Sequence, residues 1–521
     1  MAIASLCALR PSRSRAASIR PRTWRGSMRS CARAHNGGGH QQSPTRMNAR
    51  VTAPELPPSL DWVNTDAPQT LAALRGRITV LNFWTFDCVN CRNVLPDLRY
   101  LENKYHDGLS VIGVHTPKFE YQRHSDPVLK AVNRNHIRHA VANDPDYLLW
   151  QAYGIDSWPT LAVIDAQGQL AALLPGEGRR QEADTLIAHL LDEAAAQDRR
   201  VYDSGVAALR PEPVTPLRFP SRLVVGESSL WISDSGHNRI LECTHDGRIQ
   251  RQFGSGNPGY WDGRAREAGF SDPQGLALGK DVLFVADTGN HAVRRVRLLS
   301  GDVDTVAGTG VAGHDLTNEN LEPAKVAMSA PADVAVLGDN LYIAVSGQNQ
   351  IWQLDLVRNK LVVLAGSGQL GLTDGVGVTA SFAQPSSLSV VGQQLVVADA
   401  ASSSVRLLRL LDNRVSTLAG TGLYDFGDAA GKREDARLQH PLAVCGDPRG
   451  LIFVADSYNG KIKAINMRSG DVRALNLPYR LQEPAGLALG AGALWVANTN
   501  AHEIVSVDLS SGQIRRLTIS E

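Results

Sequence analysis

The sequence predicts a multidomain protein in which an α/β domain is followed by an all-β propeller of six blades. Two observations support this division. An apolar strand pattern leads into a helix pattern that carries two cysteines, Cys88 and Cys91. Beyond about residue 218, short strand patterns return in six copies that are separated by glycine and aspartate turns. A chain of 521 residues is also too long for one ordinary domain.

The cysteine pair is the first candidate site. The apolar run 80–86 is typical of a buried strand, and it delivers Cys88 and Cys91 to the first turn of a helix with an apolar stripe. Backbone N–H groups at a helix N-terminus carry partial positive charge, which favours thiolate over thiol. We therefore expect Cys88 to have a lowered pKa and to be the nucleophile, with Cys91 as the resolving cysteine that closes a redox-active disulfide.

Two other interpretations of the pair remain open. A zinc site would need two further ligands, and the chain has no second Cys-x-x-Cys motif to supply them. The pair could also be a structural disulfide or two inert core cysteines. Its place at a strand-to-helix corner favours a redox function, because functional residues concentrate at such corners.

The α/β domain is expected over residues 55–198. A second apolar run follows at 109–115, and helical patterns follow at 126–139 and 180–196. This alternation of strands and helices predicts a parallel sheet covered by helices. Residues 199–217 contain three prolines and are expected to form a semi-rigid linker.

Three spaced motifs resemble the thioredoxin fold in its larger TlpA/ResA-like form. They are the run from Asn82 to Cys91, a proline five residues past the second cysteine, and Trp158-Pro159-Thr160 before a strand. The resemblance implies that Pro159 is cis and lies against the cysteines, where its loop can pair with an extended substrate peptide. It also implies substrate contacts for Trp84, Trp158, Pro159 and Thr160.

The chain departs from the thioredoxin pattern at Asn82, where thioredoxins have a buried carboxylate that accepts the proton of the resolving cysteine. An amide cannot accept that proton, so Cys91 needs another base or a water molecule. The dipeptide between the cysteines also differs from Gly-Pro, which leaves the redox potential open. His115 and Lys118 follow a strand end, and we expect them to be ordinary loop residues, although they could lie near the cysteines.

The carboxy-terminal part, residues 218–521, consists of repeats. A motif that starts at a proline and a second motif centred on Asp or its replacement each recur six times, at intervals of 42 to 58 residues. This is the length of a propeller blade. A single four-stranded blade cannot bury both faces, whereas six blades stacked around an axis can.

These repeats resemble NHL repeats, most clearly at Asp287 and Asp456. The recurring aspartate is expected to bond backbone amides of its own turn rather than to act as a catalyst, because Val345 and Asn498 replace it in two copies. Together with the order of the domains, the motifs resemble the NHL-repeat-containing protein 2 family over about residues 60–521.

Charge and composition restrict the partners and the compartment. The first 50 residues contain ten arginines and no Asp, Glu or Lys, so residues 1–54 are expected to be a disordered leader, either a transit peptide or an extension before a true start at Met47. The remainder is mildly acidic, which argues against a nucleic-acid surface, and no apolar run is long enough to span a bilayer. Few cysteines favour a reducing compartment, so we expect a cytoplasmic protein, or an organelle protein if the leader is a transit peptide.

The preferred function is that of a thiol–disulfide oxidoreductase whose propeller binds the protein substrate. Cys88 would attack a substrate disulfide, Cys91 would release the reduced product, and a partner reductase or thiol would reset the pair. This chemistry needs no cofactor and no metal. Two alternatives stay open, namely a redox-sensitive scaffold in which the propeller carries the function, and a propeller enzyme with a metal in its central channel.

Overall fold

The computed structural model describes residues 45–202, 214–313 and 321–520, and these form one α/β domain and one propeller. The α/β domain has a seven-stranded sheet whose strand order is β1-β7-β6-β3-β4-β5-β2. Its strands are β1 (Thr45–Thr52), β2 (Asp61–Val63), β3 (Ile78–Trp84), β4 (Leu109–His115), β5 (Ala140–Asn143), β6 (Thr160–Ile164) and β7 (Gln169–Pro175).

The sheet is mixed, and its parallel part consists of the strands of the predicted strand–helix alternation. Strands β3, β4 and β5 are parallel to one another, whereas β6 pairs with β3 and with β7 in antiparallel fashion. The short turn at Gly168 makes β6 and β7 an antiparallel hairpin. All seven residues of β3 are buried, as the apolar run predicts.

Among the described residues, four helices cover the sheet: α1 (Val89–Lys104), α2 (Ser125–Arg134), α3 (Leu148–Ala152) and α4 (Arg180–Ala196). Helix α2 ends at Arg134, before the predicted end at residue 139. Helix α4 buries the predicted apolar stripe from Ala183 to Leu191, with Ala194 added. Helix α1 runs through Pro96 without interruption, and its buried face points at the sheet.

The start of this domain also corrects the predicted boundary at residue 55. Strand β1 begins at Thr45 and pairs with β7 at one edge of the sheet, so part of the predicted leader belongs to the sheet. Arg50 on this strand donates hydrogen bonds to Asp165 (3.1 Å) and Glu193 (2.8 Å). Residues 1–44 and 203–213, which include most of the predicted leader and linker, lie outside the described residues.

The propeller has six blades, each built from one continuous segment. Blade 1 contains β8 (Pro220–Val225), β9 (Leu230–Asp234), β10 (Arg239–Cys243) and β11 (Ile249–Phe253); blade 2 contains β12 (Gly263–Arg264), β13 (Pro273–Leu278), β14 (Val282–Asp287), β15 (Ala292–Arg297) and β16 (Asp302–Ala307); blade 3 contains β17 (Pro331–Leu337), β18 (Asn340–Val345), β19 (Gln350–Asp355) and β20 (Lys360–Ala365).

The remaining blades repeat this pattern. Blade 4 contains β21 (Gly375–Val376), β22 (Pro385–Val391), β23 (Gln394–Asp399), β24 (Ser404–Arg409) and β25 (Arg414–Ala419); blade 5 contains β26 (Gly431–Lys432), β27 (Ala443–Gly446), β28 (Leu451–Asp456), β29 (Lys461–Asn466) and β30 (Asp471–Ala474); blade 6 contains β31 (Pro484–Gly490), β32 (Ala493–Asn498), β33 (Glu503–Val507) and β34 (Ile514–Arg516).

The recurring aspartates bind backbone, as predicted, but the amide lies 16 or 17 residues earlier in the chain rather than in their own turn. In five blades the motif side chain accepts a hydrogen bond from the amide two residues before the blade-start proline. The pairs are Asp234 with Arg218 (2.6 Å), Asp287 with Ser271 (2.8 Å), Asp399 with Ala383 (2.7 Å), Asp456 with Gln439 (2.7 Å) and Asn498 with Gln482 (2.7 Å). In blade 3, where Val345 replaces the aspartate, Gln348 accepts the corresponding bond from Ser329 (2.9 Å). The motif is therefore structural.

The residue before each blade-start proline has a positive φ, between 47° and 58°. We call these six residues the pre-proline ring: Phe219, Asp272, Ala330, Gln384, His440 and Glu483. Five of their amides donate to a side chain of the preceding blade, namely to Asn238, His291, Asn349, Ser403 and His502. The bond from Phe219 to His502 joins blade 1 to blade 6, so it helps to close the circle.

Arg222 fills the centre of the propeller. Its buried guanidinium donates to the carbonyl oxygens of Ser386 (2.6 Å), Leu442 (2.9 Å) and Ala485, which belong to three different blades. The Asp333 carboxylate lies 3.8 Å from its Nε.

Candidate redox site between the two domains

The cysteine pair lies where β3 ends and α1 begins. Cys88 is the N-cap residue of α1, Cys91 lies in its first turn, and their exposed fractions are 1% and 0%. Both cysteines are free thiols. A hydrogen bond from Cys91 lowers the pKa of Cys88 against the opposing effect of burial, and Lys118 lowers this pKa further. Burial raises the pKa of Cys91 well above its usual value, and the neighbouring Cys88 sulfur adds to this increase.

The proline loop has the cis bond that the resemblance implies. The Trp158–Pro159 peptide bond is cis, and Pro159 directly precedes β6. Trp158 is 2% exposed and packs on Trp150 with ring centroids 4.3 Å apart. Thr160 is also buried, and its hydroxyl donates to the Ser157 carbonyl (2.8 Å). Substrate contacts by Trp158, Pro159 and Thr160 stay a prediction.

Trp84 is a core residue, whereas the predicted substrate contact would require an accessible side chain. It is fully buried on β3, and its ring meets His115 edge-on with centroids 5.6 Å apart. Both residues therefore belong to the core beneath the cysteines. Burial lowers the pKa of His115 to about 4, so this imidazole is neutral at physiological pH.

Asn82 lies on β3 with no exposed surface, and neither side-chain amide atom has a hydrogen-bond partner among the described residues. A buried unsatisfied amide is costly unless a water molecule binds it. The position is therefore polar but carries no carboxylate, which agrees with the departure seen in the sequence.

Asp87 and Lys118 are the charged residues beside the cysteines, and the sequence analysis did not single out Asp87. The buried Asp87 carboxylate lies next to Cys88, and its Oδ1 accepts hydrogen bonds from Thr85 (2.9 Å) and Gln122 (2.6 Å). Lys118 Nζ lies 3.5 Å from Asp87 Oδ2 and 5.4 Å from the centroid of the Trp158 ring. Burial raises the pKa of Asp87, but Lys118, His440 and the two hydrogen bonds outweigh this and hold it below its usual value.

Gln122 explains why Lys118 lies at the site. Its Oε1 accepts the backbone amides of Lys118 (2.7 Å) and Phe119 (3.0 Å), while its Nε2 binds Asp87. The loop after β4 is thereby held against the cysteine loop. The ordinary-loop expectation for His115 and Lys118 is thus corrected, and a buried glutamine 35 residues beyond Asp87 gave no sequence signal for this contact.

The propeller covers this face of the α/β domain. Phe86 beside the cysteines meets Tyr458 of blade 5 at 5.9 Å, and Phe119 lies between Phe426 (4.9 Å) and His440 (5.1 Å). These aromatic rings form a continuous interdomain cluster. The loop that carries Phe86 and Cys88 is therefore buried against another domain.

Ion pairs surround this aromatic contact. Arg134 Nη1 lies 2.7 Å from Glu483 Oε1, and Arg92 Nη1 lies 3.7 Å from Asp272 Oδ2. Both carboxylates belong to the pre-proline ring, which thus faces the α/β domain. Lys130 Nζ also lies 3.2 Å from His502 Nε2 in blade 6.

Two further properties concern ligands and membranes. Within residues 45–202, 214–313 and 321–520, no group of three or more His, Cys, Asp or Glu side chains could hold a metal ion. In the same ranges, no helix is both long and apolar enough to cross a bilayer.

Comparison with known proteins supports the assignment of both domains. A family model described as thioredoxin-like matches residues 76–170. The protein SUPPRESSOR OF QUENCHING 1, chloroplastic, from Arabidopsis thaliana is 37% identical over 89% of this chain and 47% of its own length. Human NHL repeat-containing protein 2 is 35% identical over 90% of this chain and 72% of its own length. The thiol-disulfide oxidoreductase YkuV from Bacillus subtilis is 26% identical over 28% of this chain and 99% of its own.

Proposed function

Because the chain belongs to the family of NHL repeat-containing protein 2, we propose that it is a thiol–disulfide oxidoreductase whose redox site lies beneath the propeller. One observation carries the proposal. Cys91 donates a hydrogen bond that stabilises the Cys88 thiolate, while its own proton is held by burial. A nucleophile and a resolving thiol need this opposite tuning. The resemblance of residues 76–170 to thioredoxin-like proteins supports the same assignment.

The reaction proceeds in two exchanges. The Cys88 thiolate attacks one sulfur of a substrate disulfide, and the second substrate sulfur leaves as a thiolate that takes up a proton. Cys91 then loses its proton, bonds to Cys88 and releases the first substrate sulfur as a thiol. The substrate gains two electrons and the cysteine pair loses two, so an external thiol or reductase must reduce the pair again.

The test is reduction of insulin disulfides with dithiothreitol as the electron source. We expect turnover by the wild-type chain, loss of turnover in Cys88→Ser, and accumulation of mixed disulfides through Cys88 in Cys91→Ser. Cys243→Ser is the matched control, because this thiol is buried in blade 1 far from the site. Equal inactivity of wild type and Cys88→Ser would refute the proposal.

A second candidate is a redox-sensitive scaffold, in which the propeller binds a partner and the cysteine pair reports the redox state. The burial of Cys88 beneath the propeller favours it, because a large substrate has no direct route to a sulfur that is 1% exposed. A chain that forms the Cys88–Cys91 disulfide under mild oxidant, yet turns over no substrate, would support this candidate.

The compartment is proposed from the cysteine content and the arginine-rich start. We place the protein in the cytoplasm, with an organelle as the alternative that the chloroplastic relative supports. A fluorescent fusion at the carboxyl end, compared with a chain that starts at Met47, separates the two.

A further inference from the structure

A glutamine of blade 5 binds the backbone of the α/β domain close to the redox site. Gln439 Oε1 accepts a hydrogen bond from the Tyr121 amide (3.2 Å). Tyr121 lies in a short 3₁₀ helix, Glu120–Arg123, which follows the loop that carries Lys118. The first amides of a helix have no partner within the helix itself. The propeller therefore supplies an acceptor that this turn does not supply for itself.

The side chain of Gln439 is oriented by the repeat motif of its own blade. The Asp456 carboxylate can only accept hydrogen bonds, and its Oδ2 accepts one from Asn459 Nδ2 (2.8 Å). Asn459 Oδ1 is therefore the atom that faces Gln439, and it accepts a hydrogen bond from Gln439 Nε2 (2.9 Å). This leaves Oε1 of Gln439, a side chain that is 7% exposed, as the atom that meets Tyr121.

The next residue of the same 3₁₀ helix holds the redox site. Gln122 is fully buried, its Oε1 accepts the Lys118 amide (2.7 Å), and its Nε2 donates to Asp87 (2.6 Å). One peptide unit thus separates the amide that the propeller binds from the side chain that binds both charged residues beside Cys88. A short helical turn transmits a displacement between such neighbours, because its backbone dihedrals are restricted.

The position of Lys118 affects the reactivity of Cys88. The groups that act on the Cys88 thiol are Cys91 and Lys118, which lower its pKa, and Asp87, which raises it. Asp87 in turn is faced by Lys118, at 3.5 Å, and by His440. If Lys118 moves away from Cys88, the repulsion by Asp87 is less well compensated, and the pKa of Cys88 rises.

We propose that Gln439 of the propeller is a positioning residue of the redox site. It binds the Tyr121 amide and so fixes the 3₁₀ helix, and Gln122 on that helix fixes Lys118 and Asp87 beside Cys88. The propeller thereby sets the reactivity of the cysteine that it covers. The inference rests on the proposed function only in taking Cys88 as the reacting sulfur.

The test is the pH dependence of Cys88 alkylation by iodoacetamide, followed by mass spectrometry on the reduced full-length chain. Gln439→Leu removes the acceptor and keeps the backbone bond to Asp456 (2.7 Å). Tyr121 and Gln439 both line an open groove between the domains, so water can reach the freed amide in this variant. We expect the midpoint to move to higher pH, with alkylation near neutral pH slowed about threefold.

Gln482→Leu is the matched control. Gln482 occupies the same position in blade 6, lines the same groove, and donates the same backbone bond to the motif residue, Asn498 (2.7 Å). Its side chain is exposed and, within residues 45–202, 214–313 and 321–520, makes no hydrogen bond to the α/β domain. The pH profile of this variant should match wild type.

Lys118→Met provides the decisive comparison, because the proposal acts through this cation. Lys118→Met alone should move the midpoint to higher pH, and adding Gln439→Leu to it should have little further effect. A structural effect of Gln439 that does not act through Lys118 would instead add to the effect of Lys118→Met.

Hydrogen exchange at the Tyr121 amide tests the contact without redox chemistry. In the wild-type chain this amide should exchange much more slowly than an unstructured amide, and Gln439→Leu should accelerate its exchange whereas Gln482→Leu should not. Free exchange in the wild-type chain would overturn the proposal whether or not any variant folds.

The proposal is also overturned if Gln439→Leu matches wild type, accelerates alkylation, shifts the midpoint no more than Gln482→Leu does, or remains additive with Lys118→Met. Insulin reduction is measured separately on the same proteins. The expected shifts without turnover would refute the oxidoreductase and leave this inference intact, whereas turnover without the shifts would refute this inference alone.

Discussion

Breaking the ion pair between Arg134 and Glu483 should open the redox site. Glu483 is 2% exposed and Arg134 keeps 23% of its side-chain surface, so the pair is largely desolvated at the domain interface. Glu483 Oε2 also accepts a hydrogen bond from Asn500 (2.9 Å). In Arg134→Gln the carboxylate stays buried without its cation, which costs about 2–5 kcal/mol of docking free energy. The ratio of separated to docked domains should then rise roughly 30- to 4,000-fold.

The assay compares two reagents that label Cys88. Iodoacetamide is small, whereas a polymer-linked maleimide is too large to reach a sulfur that is 1% exposed. When opening is fast, labelling by the large reagent follows the population of the open state. We expect Arg134→Gln to accelerate maleimide labelling much more than iodoacetamide labelling.

Glu483→Gln and the double variant complete a double-mutant cycle on the ion pair. Glu483→Gln should also accelerate maleimide labelling, and Gln384 shows that glutamine fits this ring position at a φ of 58°. The double variant should recover part of the protection, because removing both charges leaves none unpaired. Lys432→Gln is the control, since its partner Asp471 is 57% exposed and the pair contributes little. Equal maleimide labelling in Arg134→Gln and Lys432→Gln would refute the reasoning.

Three other substitutions test the charges and the channel. Lys118→Met should raise the pKa of Cys88 and slow its alkylation near neutral pH, because a stabilising cation is lost; an unchanged pH profile would contradict this. The buried His440 has a pKa of about 4, so its contribution to stability is complete above about pH 6.5 and is lost as pH falls towards 4. As pH falls from about 6.5 towards 4, wild type loses this stabilisation and His440→Gln does not. The melting temperature of His440→Gln relative to wild type should therefore rise as pH falls, by the equivalent of at most about 3 kcal/mol. Arg222→Met should destabilise the propeller by about 3–5 kcal/mol in thermal unfolding, because it strands buried carbonyls and Asp333, whereas Arg449→Gln, which is 86% exposed, should melt like wild type.

Local patterns determined the class of both domains. The apolar run before Cys88 and the spacing of Pro159 predicted a thioredoxin-like domain, and the structure confirms the strand, the helix and the cis bond. The six repeats predicted six blades. The replacement of the recurring aspartate by Val345 and Asn498 indicated that its role is structural rather than catalytic. These features are encoded by neighbours in sequence, which is why periodicity and turn residues are sufficient to find them.

The environment of the cysteines was decided by tertiary structure alone. Lys118 reaches the site because Gln122 binds both its amide and Asp87, and His440 reaches it from a blade that lies more than 300 residues further along the chain. Single residues of this kind carry no periodic signal, and their pKa values depend on burial that exists only after the domains have docked. From the sequence, Cys88 and Cys91 are a redox pair at a helix N-terminus; only the folded chain puts them beneath a propeller, because desolvation and charge act through space rather than along the backbone.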